Sequence, residues 1–289
     1  MNLRITKKDG ALIAVAAVLL LAVAAAGWLL LGEAALVIAP VLSAIVMLVV
    51  LLEIYRRLEK GKNMEFALKQ YDRKHDRALR QLYHQVESLL SLFFTLKPEL
   101  PLPDTRAWAA SPDLLKKIVE VMLTEKPAFV LEASSGTSTL VIAYCLKKLG
   151  KGKILSLEHD AKFAAISKSH IALHGLEDIS TIVHAPLKEV EINGKKWLWY
   201  DTDRFTIDQP IDMLFVDGPP GKIQKLSRYP ALPLLYKHLN NRATIILDDG
   251  IREDEKQIVA MWEKEFSPLS AEYLETEKGT FIIHKNAQA

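Results

Sequence analysis

Residues 128–158 read AFVLEASSGTSTLVIAYCLKKLGKGKILSLE, and this stretch decides the fold class. Ala128–Ala133 is a short apolar run after a proline, which is typical of a buried strand, and Lys153–Glu158 is a second such run. Between them, a segment from about Thr137 to Leu149 has a helical pattern and ends at Gly150, as helices commonly do. A strand, a helix and a strand in this order predict two parallel strands joined by a crossover helix.

The alternation continues to the C-terminus. Further strands are predicted at 179–184, 211–217, 243–249, 271–275 and 280–284. Further helices are predicted at about 111–124, 161–174, 224–239 and 253–266. The last two strands predict a terminal hairpin, and Asn193–Phe205 predicts another hairpin between the third and fourth strands. Residues 105–285 are therefore predicted to form an α/β, Rossmann-like domain, with a mainly parallel sheet of about seven strands and helices on both faces.

The chain before this domain has a different composition. Residues 11–31 and 34–52 carry no charge, and each run is about as long as a helix that crosses a bilayer core of roughly 30 Å. Only Gly32-Glu33 separates the runs, so residues 1–55 are predicted to form a transmembrane helical hairpin. Lysines and arginines flank the pair on its outer sides, which predicts that both termini and the C-terminal domain lie on the cytoplasmic side of a bacterial-type inner membrane.

Residues 56–97 are predicted to be one long helix. Apolar and aromatic residues recur in it mostly three and four positions apart between Leu68 and Phe93. Two interpretations remain open: an amphipathic helix that packs on the following domain, or a short coiled coil that forms a homodimer. Prolines then predict a stiff linker at 98–104.

Composition excludes several classes of function. The net charge of the chain is only +2 over 289 residues, so no overall basic field favours nucleic acid as a partner. Cys145 is the single cysteine, which excludes an internal disulfide framework, and its apolar helical surroundings favour a buried core residue. The histidines show no metal-ligand spacing.

Polar residues follow the predicted strands at the edge where parallel sheets bind ligands. Glu132 ends the first strand and precedes the small residues of ASSGTST, which let a backbone approach a ligand closely. Glu158 ends the second strand, where a carboxylate suits the two hydroxyls of a ribose. Asp217 ends the fourth strand, and Asp248-Asp249 ends the fifth.

The motifs VLEASSGTSTL, ILSLEHD, FVDGPPG and IILDDGIRE occur in this order, and together they resemble class I S-adenosylmethionine-dependent methyltransferases. The resemblance is to the bacterial branch whose first motif reads Glu-x-Gly-x-Gly-x-Ser-Thr, and it covers about residues 111–284. It implies S-adenosylmethionine as the cofactor and methyl transfer to an O or N acceptor. Ser134 departs from the family, which usually has glycine there, and a positive φ at this serine costs on the order of 1 kcal/mol. A nicotinamide-dependent oxidoreductase is disfavoured because the spacing Gly-x-Gly-x-x-Gly is missing.

The resemblance also implies residue roles. The implied cofactor-binding residues are Glu132, Ser134, Gly136, Ser138, Glu158, His159 and Asp217. Glu132 is expected to orient the loop and the methionyl amino group, Glu158 to hold the ribose hydroxyls, and Asp217 to face the methyl-transfer site. The trio Ala185-Pro186-Leu187 either flanks the adenine or is a loop that contacts no ligand.

Three carboxylates are candidates for chemistry on the acceptor. In one interpretation, Asp217, Asp248 and Asp249 bind Mg²⁺ as in catechol-type O-methyltransferases, although that family has asparagine at the position of Asp249. In a second, one of these carboxylates is a general base. In a third, Asp248 and Asp249 pair with Arg252 and only shape a loop.

Two further groups have open interpretations. They are the cations Lys222, Lys225 and Arg228 and the aromatic residues Trp197, Trp199 and Tyr200. The cations contact an anionic acceptor or are solvated on a helix, and the aromatic residues cover the acceptor pocket or an exposed sheet edge. A membrane location suggests a membrane-associated glycan or lipid as the acceptor. The alternative function is a non-catalytic, membrane-tethered binding or scaffold protein.

Overall fold

The computed structural model describes residues 7–31, 35–105, 109–266 and 268–286. The chain divides into two compact units, Met1–Ala78 and Leu79–Ala289. Each unit is described by itself below.

The N-terminal unit is helical. Helix α1 comprises Lys7–Leu31, and helix α2 comprises Ala35–Leu96, the last part of which belongs to the C-terminal unit. The second predicted span and the predicted helix that follows it are one continuous helix of 62 residues. Gly32-Glu33, the predicted charged tip, lies outside the described residues. Within the described ranges, no helix is found with the length and apolar character needed to cross a membrane, so the prediction of two spanning helices is not supported.

The C-terminal unit is built on one seven-stranded sheet. The described residues of this unit form nine strands, of which seven belong to this sheet. They are β1 (Phe129–Ala133), β2 (Lys153–Glu158), β3 (Ser180–His184), β4 (Leu187–Ile192), β5 (Lys195–Tyr200), β6 (Ile211–Val216), β7 (Leu239–Leu247), β8 (Leu269–Leu274) and β9 (Thr280–Lys285). The order in the sheet is β3-β2-β1-β6-β7-β9-β8, and β4 and β5 form a separate hairpin. Strands β3, β2, β1, β6 and β7 are parallel, whereas β9 is antiparallel to both of its neighbours. The predicted Rossmann-like, mainly parallel sheet of about seven strands is confirmed.

Two apolar cores lie on the two faces of this sheet. Helices α3 (Pro112–Glu125), α4 (Thr137–Leu149), α5 (Ala161–Leu173), α6 (Ala231–Leu235) and α7 (Glu253–Glu265) cover it. Alternate residues of a strand point to opposite faces. Val130 accordingly belongs to the core under α3, α4 and α5, and its neighbour Leu131 belongs to the core under α6, α7 and the β4–β5 hairpin. The central strands β1, β2 and β6 are buried on both faces, which is why they read as continuous apolar runs.

The sheet reverses its strand order at β1, which pairs with β2 on one side and β6 on the other. Crossover connections leave in opposite directions at such a point, and a cleft opens at the carboxyl ends of the strands. The polar residues selected from the sequence all follow β1, β2, β6 and β7 and therefore lie around this cleft.

The buried face of α2 differs from the apolar stripe predicted to pack on the domain. In the C-terminal unit, Gln85, Ser88, Leu92 and Leu96 are buried, whereas Leu79, Leu82, Val86 and Phe93 are exposed. The side-chain oxygen of Gln85 accepts a hydrogen bond from the backbone N–H of Asp113, at the start of α3, at 3.2 Å. The face of α2 that packs on the domain therefore includes a polar contact, between Gln85 and the start of α3, which the spacing of apolar residues does not predict.

The helix predicted at 224–239 is wrong over most of its length. Residues 219–230 form turns, α6 has only five residues, a 3₁₀ turn covers Tyr236–His238, and β7 already begins at Leu239. Prolines in the segment interrupt the helical hydrogen-bond pattern. The hairpin predicted at 193–205 begins earlier, because β4 starts at Leu187, and its turn is Asn193-Gly194 with positive φ at both residues.

Candidate functional site

Glu132 holds together the bend that follows β1. Its carboxyl group is fully buried and accepts hydrogen bonds from the hydroxyls of Ser138 at 2.5 Å, Thr139 at 2.6 Å and Ser156 at 2.5 Å. Burial raises the pKa of Glu132 to about 7, although the three hydroxyls act in the opposite direction. Glu132 thus connects the end of β1 to the first turn of α4 and to β2. Neither Glu132 nor Ser138 lines the cavity that opens next to the bend.

The bend itself has an unusual backbone. Ser134 has a φ of 155° and Gly136 a φ of 158°. The backbone N–H of Gly136 donates to the Thr139 hydroxyl at 3.0 Å, and this hydroxyl also donates to Glu132. Ser134 therefore adopts the positive φ for which the sequence predicts an energetic cost.

Glu158 faces this bend. Its side chain is nearly buried at the end of β2, and it accepts hydrogen bonds from the Ser135 hydroxyl at 3.1 Å and from the backbone N–H of Asp160 at 3.0 Å. The Nδ1 atom of His159 lies 3.0 Å from the same carboxylate. The structure therefore brings the acid of the second motif against the bend of the first.

A cavity of about 440 Å³ opens between these groups, which is within the usual range for small-molecule sites. Its wall includes Ser134, Ser135, Glu158, His159, Phe163, Tyr200 and Asp217. Four of the predicted cofactor residues, Ser134, Glu158, His159 and Asp217, are in this wall. The trio 185–187 is not among the lining residues of this cavity. Leu187 instead begins β4.

Tyr200 closes one side of this cavity. It ends β5, is buried, and its hydroxyl lies so close to Gly218 that a Cβ atom there would collide with it. Burial, followed by the charges of Glu158 and Asp217, raises the pKa of Tyr200 well above its ordinary value, so the phenol stays neutral. Of the three aromatic residues noted in the sequence, Tyr200 alone lines the cavity, whereas Trp199 is fully buried in the core.

A second cavity of about 470 Å³ lies beside the first, and Asp217 lines both. Its wall is highly charged and includes Asp249, Arg228, Arg252 and Lys278. The first cavity thus presents the carboxylate of Glu158 and small residues, while the second cavity presents charges of both signs.

The three predicted carboxylates come together, and two of them, Asp217 and Asp249, line the second cavity. One oxygen from each of Asp217, Asp248 and Asp249 lies within 4.8 Å of the others. Burial raises the pKa of Asp217 to about 6 against the opposing charge of Arg228, and burial together with Asp217 and Asp249 raises the pKa of Asp248 to about 8. Both shifts disfavour the ionised form, and the contact with Arg228 offsets this effect most directly at Asp217. Asp248 is fully buried, its two carboxyl oxygens have no hydrogen-bond partner in the described part of the chain, and it lines neither cavity.

Arg228 lies inside this cluster, whereas the sequence left two interpretations open for it: contact with an anionic acceptor, or solvation on a helix. It is 2 % exposed, and its guanidinium lies 3.0 Å from Asp217 Oδ1 and 2.6 Å from Asp249 Oδ2. Arg252 also contacts Asp249 Oδ2, at 2.9 Å. Carboxylate oxygens suit Mg²⁺ in kind, but two of the three predicted ligands already hold a buried guanidinium, so the cluster does not fit a metal ion as it stands.

Several site residues were missed from the sequence. Ser135, Phe163 and Asp160 line the first cavity, and Thr139 and Ser156 fix Glu132. Ser156 carried a signal, since it is the one hydroxyl in the apolar strand KILSLE. The burial of Arg228 had none, because the predicted helix around it does not form.

Comparisons with known proteins agree with this geometry. Residues 133–250, which span the loops of the site, match the family model described as a methyltransferase domain. This match confirms the prediction of an enzyme of the methyltransferase class. None of the curated proteins matches the chain.

Solved structures of methyltransferases are similar to the chain at low identity. The methyltransferase PaMTH1 of Podospora anserina, bound to SAH, is 14 % identical with a TM-score of 0.48 over 70 % of this chain and 88 % of that one. An O-methyltransferase from Bacillus cereus, in complex with SAH, is 18 % identical with a TM-score of 0.46 over 69 % and 91 %. The O-methyltransferase TomG of Streptomyces achromogenes, in complex with SAM, is 15 % identical with a TM-score of 0.47 over 70 % and 89 %. These values are too low to assign an activity, so the assignment of the enzyme class rests on the domain match.

Proposed function

We propose that the C-terminal domain binds S-adenosylmethionine in the cavity lined by Ser134, Glu158 and His159 and methylates an O or N acceptor in the second cavity. The observation that carries this proposal is the contact between Glu158 and the bend, at 3.1 Å from the Ser135 hydroxyl. This contact brings the carboxylate of Glu158 and a small-residue turn together in the wall of one cavity of about 440 Å³. S-adenosylmethionine has a ribose and a short amino-acid chain to match these two features.

The reaction is a direct displacement. A lone pair on the acceptor O or N forms a bond to the methyl carbon while the carbon–sulfur bond breaks, and sulfur keeps that electron pair as S-adenosylhomocysteine forms. The acceptor proton passes to a base. Asp217 suits this role because it lines both cavities and because the Arg228 guanidinium, 3.0 Å from its Oδ1 atom, favours the carboxylate form that a base requires. Asp249 adds a second carboxylate beside Asp217. Asp248 is fully buried and lines neither cavity, so it can affect the reaction only through its neighbours.

Calorimetric titration of the full chain, in detergent, with S-adenosylhomocysteine tests the cofactor site. Loss of hydrogen bonds from a charged acceptor costs about 1.5–3 kcal/mol, so Glu158→Gln is expected to weaken binding about tenfold to a hundredfold. Glu177→Gln, a matched change at an exposed acid, is expected to leave affinity unchanged. Wild-type protein that binds no ligand at millimolar concentration would support the scaffold alternative instead.

The acceptor is proposed to be a membrane-associated glycan or lipid intermediate. The support is the sequence of the N-terminal part, because attachment to a membrane raises the local concentration of the enzyme near such acceptors. Incubation with labelled S-adenosylmethionine and separated membrane and soluble extracts tests this. Label that enters only soluble small molecules would refute it.

We propose that residues 11–52 attach the chain to the inner membrane with the enzyme domain on the cytoplasmic side. The described helices include none that meets the criteria for a span, so the support is the two uncharged runs and their exposed apolar side chains. Leu21 is 72 % exposed and Leu29 83 % exposed. Apolar surface of this extent requires a lipid or protein partner. After alkaline extraction the full chain is expected in the membrane pellet, and its release into the supernatant would contradict the proposal.

We also propose that the helix at 56–97 supports a homodimer. Its apolar stripe stays exposed, with Leu82 at 51 % and Tyr71 at 65 %. Light scattering of the detergent-solubilised chain is expected to give the mass of a dimer, and Leu82→Asp should lower it to that of a monomer. A monomeric wild-type chain would leave the stripe to another partner.

A further inference from the structure

The guanidinium of Arg228 is held by acceptors from both neighbouring strand ends. One nitrogen, Nη2, lies 3.0 Å from the carbonyl oxygen and 3.0 Å from the Oδ1 atom of Asp217, which follows β6. The same nitrogen donates to Asp249 Oδ2 at 2.6 Å, and Nη1 donates to the carbonyl oxygen of Asp248 at 2.8 Å, after β7. These contacts fix the backbone and the side chains of both turns at once.

The surroundings of this guanidinium are acidic. Asp217, Asp248, Asp249 and Glu255 all lie around it, and their side chains are buried or nearly so. Arg228 is the only lysine or arginine among the described residues that the structure buries. Buried carboxylates require a compensating charge, and arginine supplies it permanently because its guanidinium stays protonated. Arg228 is therefore the cation around which the acidic turns are assembled.

A divalent ion would compete for the same oxygens. Mg²⁺ needs an octahedral set of oxygen ligands at about 2.0–2.1 Å, free of other strong donors. Asp249 Oδ2 already receives two guanidinium groups, from Arg228 at 2.6 Å and from Arg252 at 2.9 Å. An ion bound to Asp217 and Asp249 would lie next to the like charge of Arg228, whose guanidinium is almost completely buried, with 2 % of its surface exposed.

We propose that Arg228 is the built-in cation of this site: it positions Asp217 and Asp249 as a divalent metal ion would, and the site holds no metal. The proposed role of Arg228 is to hold the two carboxylates in place, so it is a positioning residue, although its side chain also contributes to the wall of the second cavity. The inference rests on the proposed methyl-transfer site for its role, but metal binding can be measured whether or not that activity is found.

The test uses Mn²⁺ alone, with the full chain in detergent, and follows the electron paramagnetic resonance signal of the free ion. Wild-type protein is expected to leave this signal unchanged up to millimolar Mn²⁺. Arg228→Met removes the charge at similar side-chain length, so it is expected to create one Mn²⁺ site per chain that is lost again when Asp249→Asn is added. Arg252→Met is the matched control, because it removes the exposed partner of Asp249 and leaves Arg228 in place, so no site should appear.

Two results would overturn the proposal. One is a saturable Mn²⁺ site in the wild-type chain that Mg²⁺ displaces and Asp249→Asn removes, and this result needs no Arg228 variant to fold. The other is an Arg228→Met chain with a cooperative thermal transition that binds no Mn²⁺. Titration with S-adenosylhomocysteine is run in parallel, so failure of the cofactor proposal shows as lost nucleoside binding and is distinct from either metal result.

Discussion

Replacing Glu132 by glutamine is expected to change how the stability of the enzyme domain depends on pH. Burial raises the pKa of Glu132 from 4.5 to about 7, so the folded protein binds this proton more tightly than the unfolded chain does. Stability from this group is therefore fully present below about pH 4.5 and is lost as the pH rises through about 7. Glutamine keeps the size of the side chain but carries no titrating charge.

The magnitude follows from the two pKa values. The difference between 4.5 and about 7, at about 1.4 kcal/mol per pH unit, corresponds to about 3 kcal/mol over the whole range. Between about pH 5.5 and about pH 8, the unfolding free energy of the wild type should fall by about 2 kcal/mol relative to Glu132→Gln. Urea unfolding followed by tryptophan fluorescence measures both proteins at each pH.

Glu120→Gln is the control for this experiment, because Glu120 is an exposed acid on α3. Its stability curve is expected to run parallel to that of the wild type. A constant difference between wild type and Glu132→Gln across the pH range would show that the three hydroxyl hydrogen bonds outweigh burial. Glu132 would then be ionised throughout, and the explanation of its pKa given above would be refuted.

Three other predictions concern the bend, the first cavity and the connection to the sheet. Gly218→Ala places a Cβ atom against the Tyr200 hydroxyl and 3.1 Å from the carbonyl oxygen of the residue that ends β1, so affinity for S-adenosylhomocysteine should fall at least about tenfold. Gly221→Ala is the control: its Cβ atom meets its nearest neighbour at 3.6 Å, so the affinity should not change. Equal affinities in the two variants would contradict this reasoning. Ser134→Gly relieves the positive φ, which costs on the order of 1 kcal/mol, and after the extra chain entropy of glycine is subtracted, urea unfolding should show a gain of about 0.5 kcal/mol. A loss would show that the serine side chain stabilises the bend. Asp113→Ala removes acceptors for two backbone N–H groups, including a 2.7 Å bond near β9, and should lower the unfolding free energy by about 1–3 kcal/mol; an unchanged value would mean that water replaces them.

The fold could be predicted because its signals are local. Apolar runs bounded by proline and glycine identify the strands. The rule that parallel sheets bind ligands at the carboxyl ends of their strands then selects Glu132, Glu158 and Asp217 from the sequence alone. Glycine at position 150 likewise marked the end of α4, where it adopts a left-handed conformation.

The parts that could not be predicted depend on contacts distant in sequence. Arg228 looks like a surface residue in a helical pattern, and only the carboxylates that follow β6 and β7 explain why it is buried. Gln85 and Ser88 face the domain on α2 because one of them meets the start of α3, a contact between residues 28 positions apart. Tyr200 reaches the cavity because the β4–β5 hairpin packs on the side of the sheet opposite α4.

Asp217 forms part of the wall of both cavities, so a charge bound in the first cavity contributes to the electric field in the second. A sulfonium beside this carboxylate is positively charged before methyl transfer, whereas the thioether that remains is neutral. In the proposed reaction, the second cavity therefore experiences two electrostatic states in each turnover. Binding free energies are reciprocal, so an acceptor that binds more tightly when the charged cofactor is present increases the affinity of that cofactor by the same factor. The same electrostatic effect does not increase the affinity of the neutral thioether.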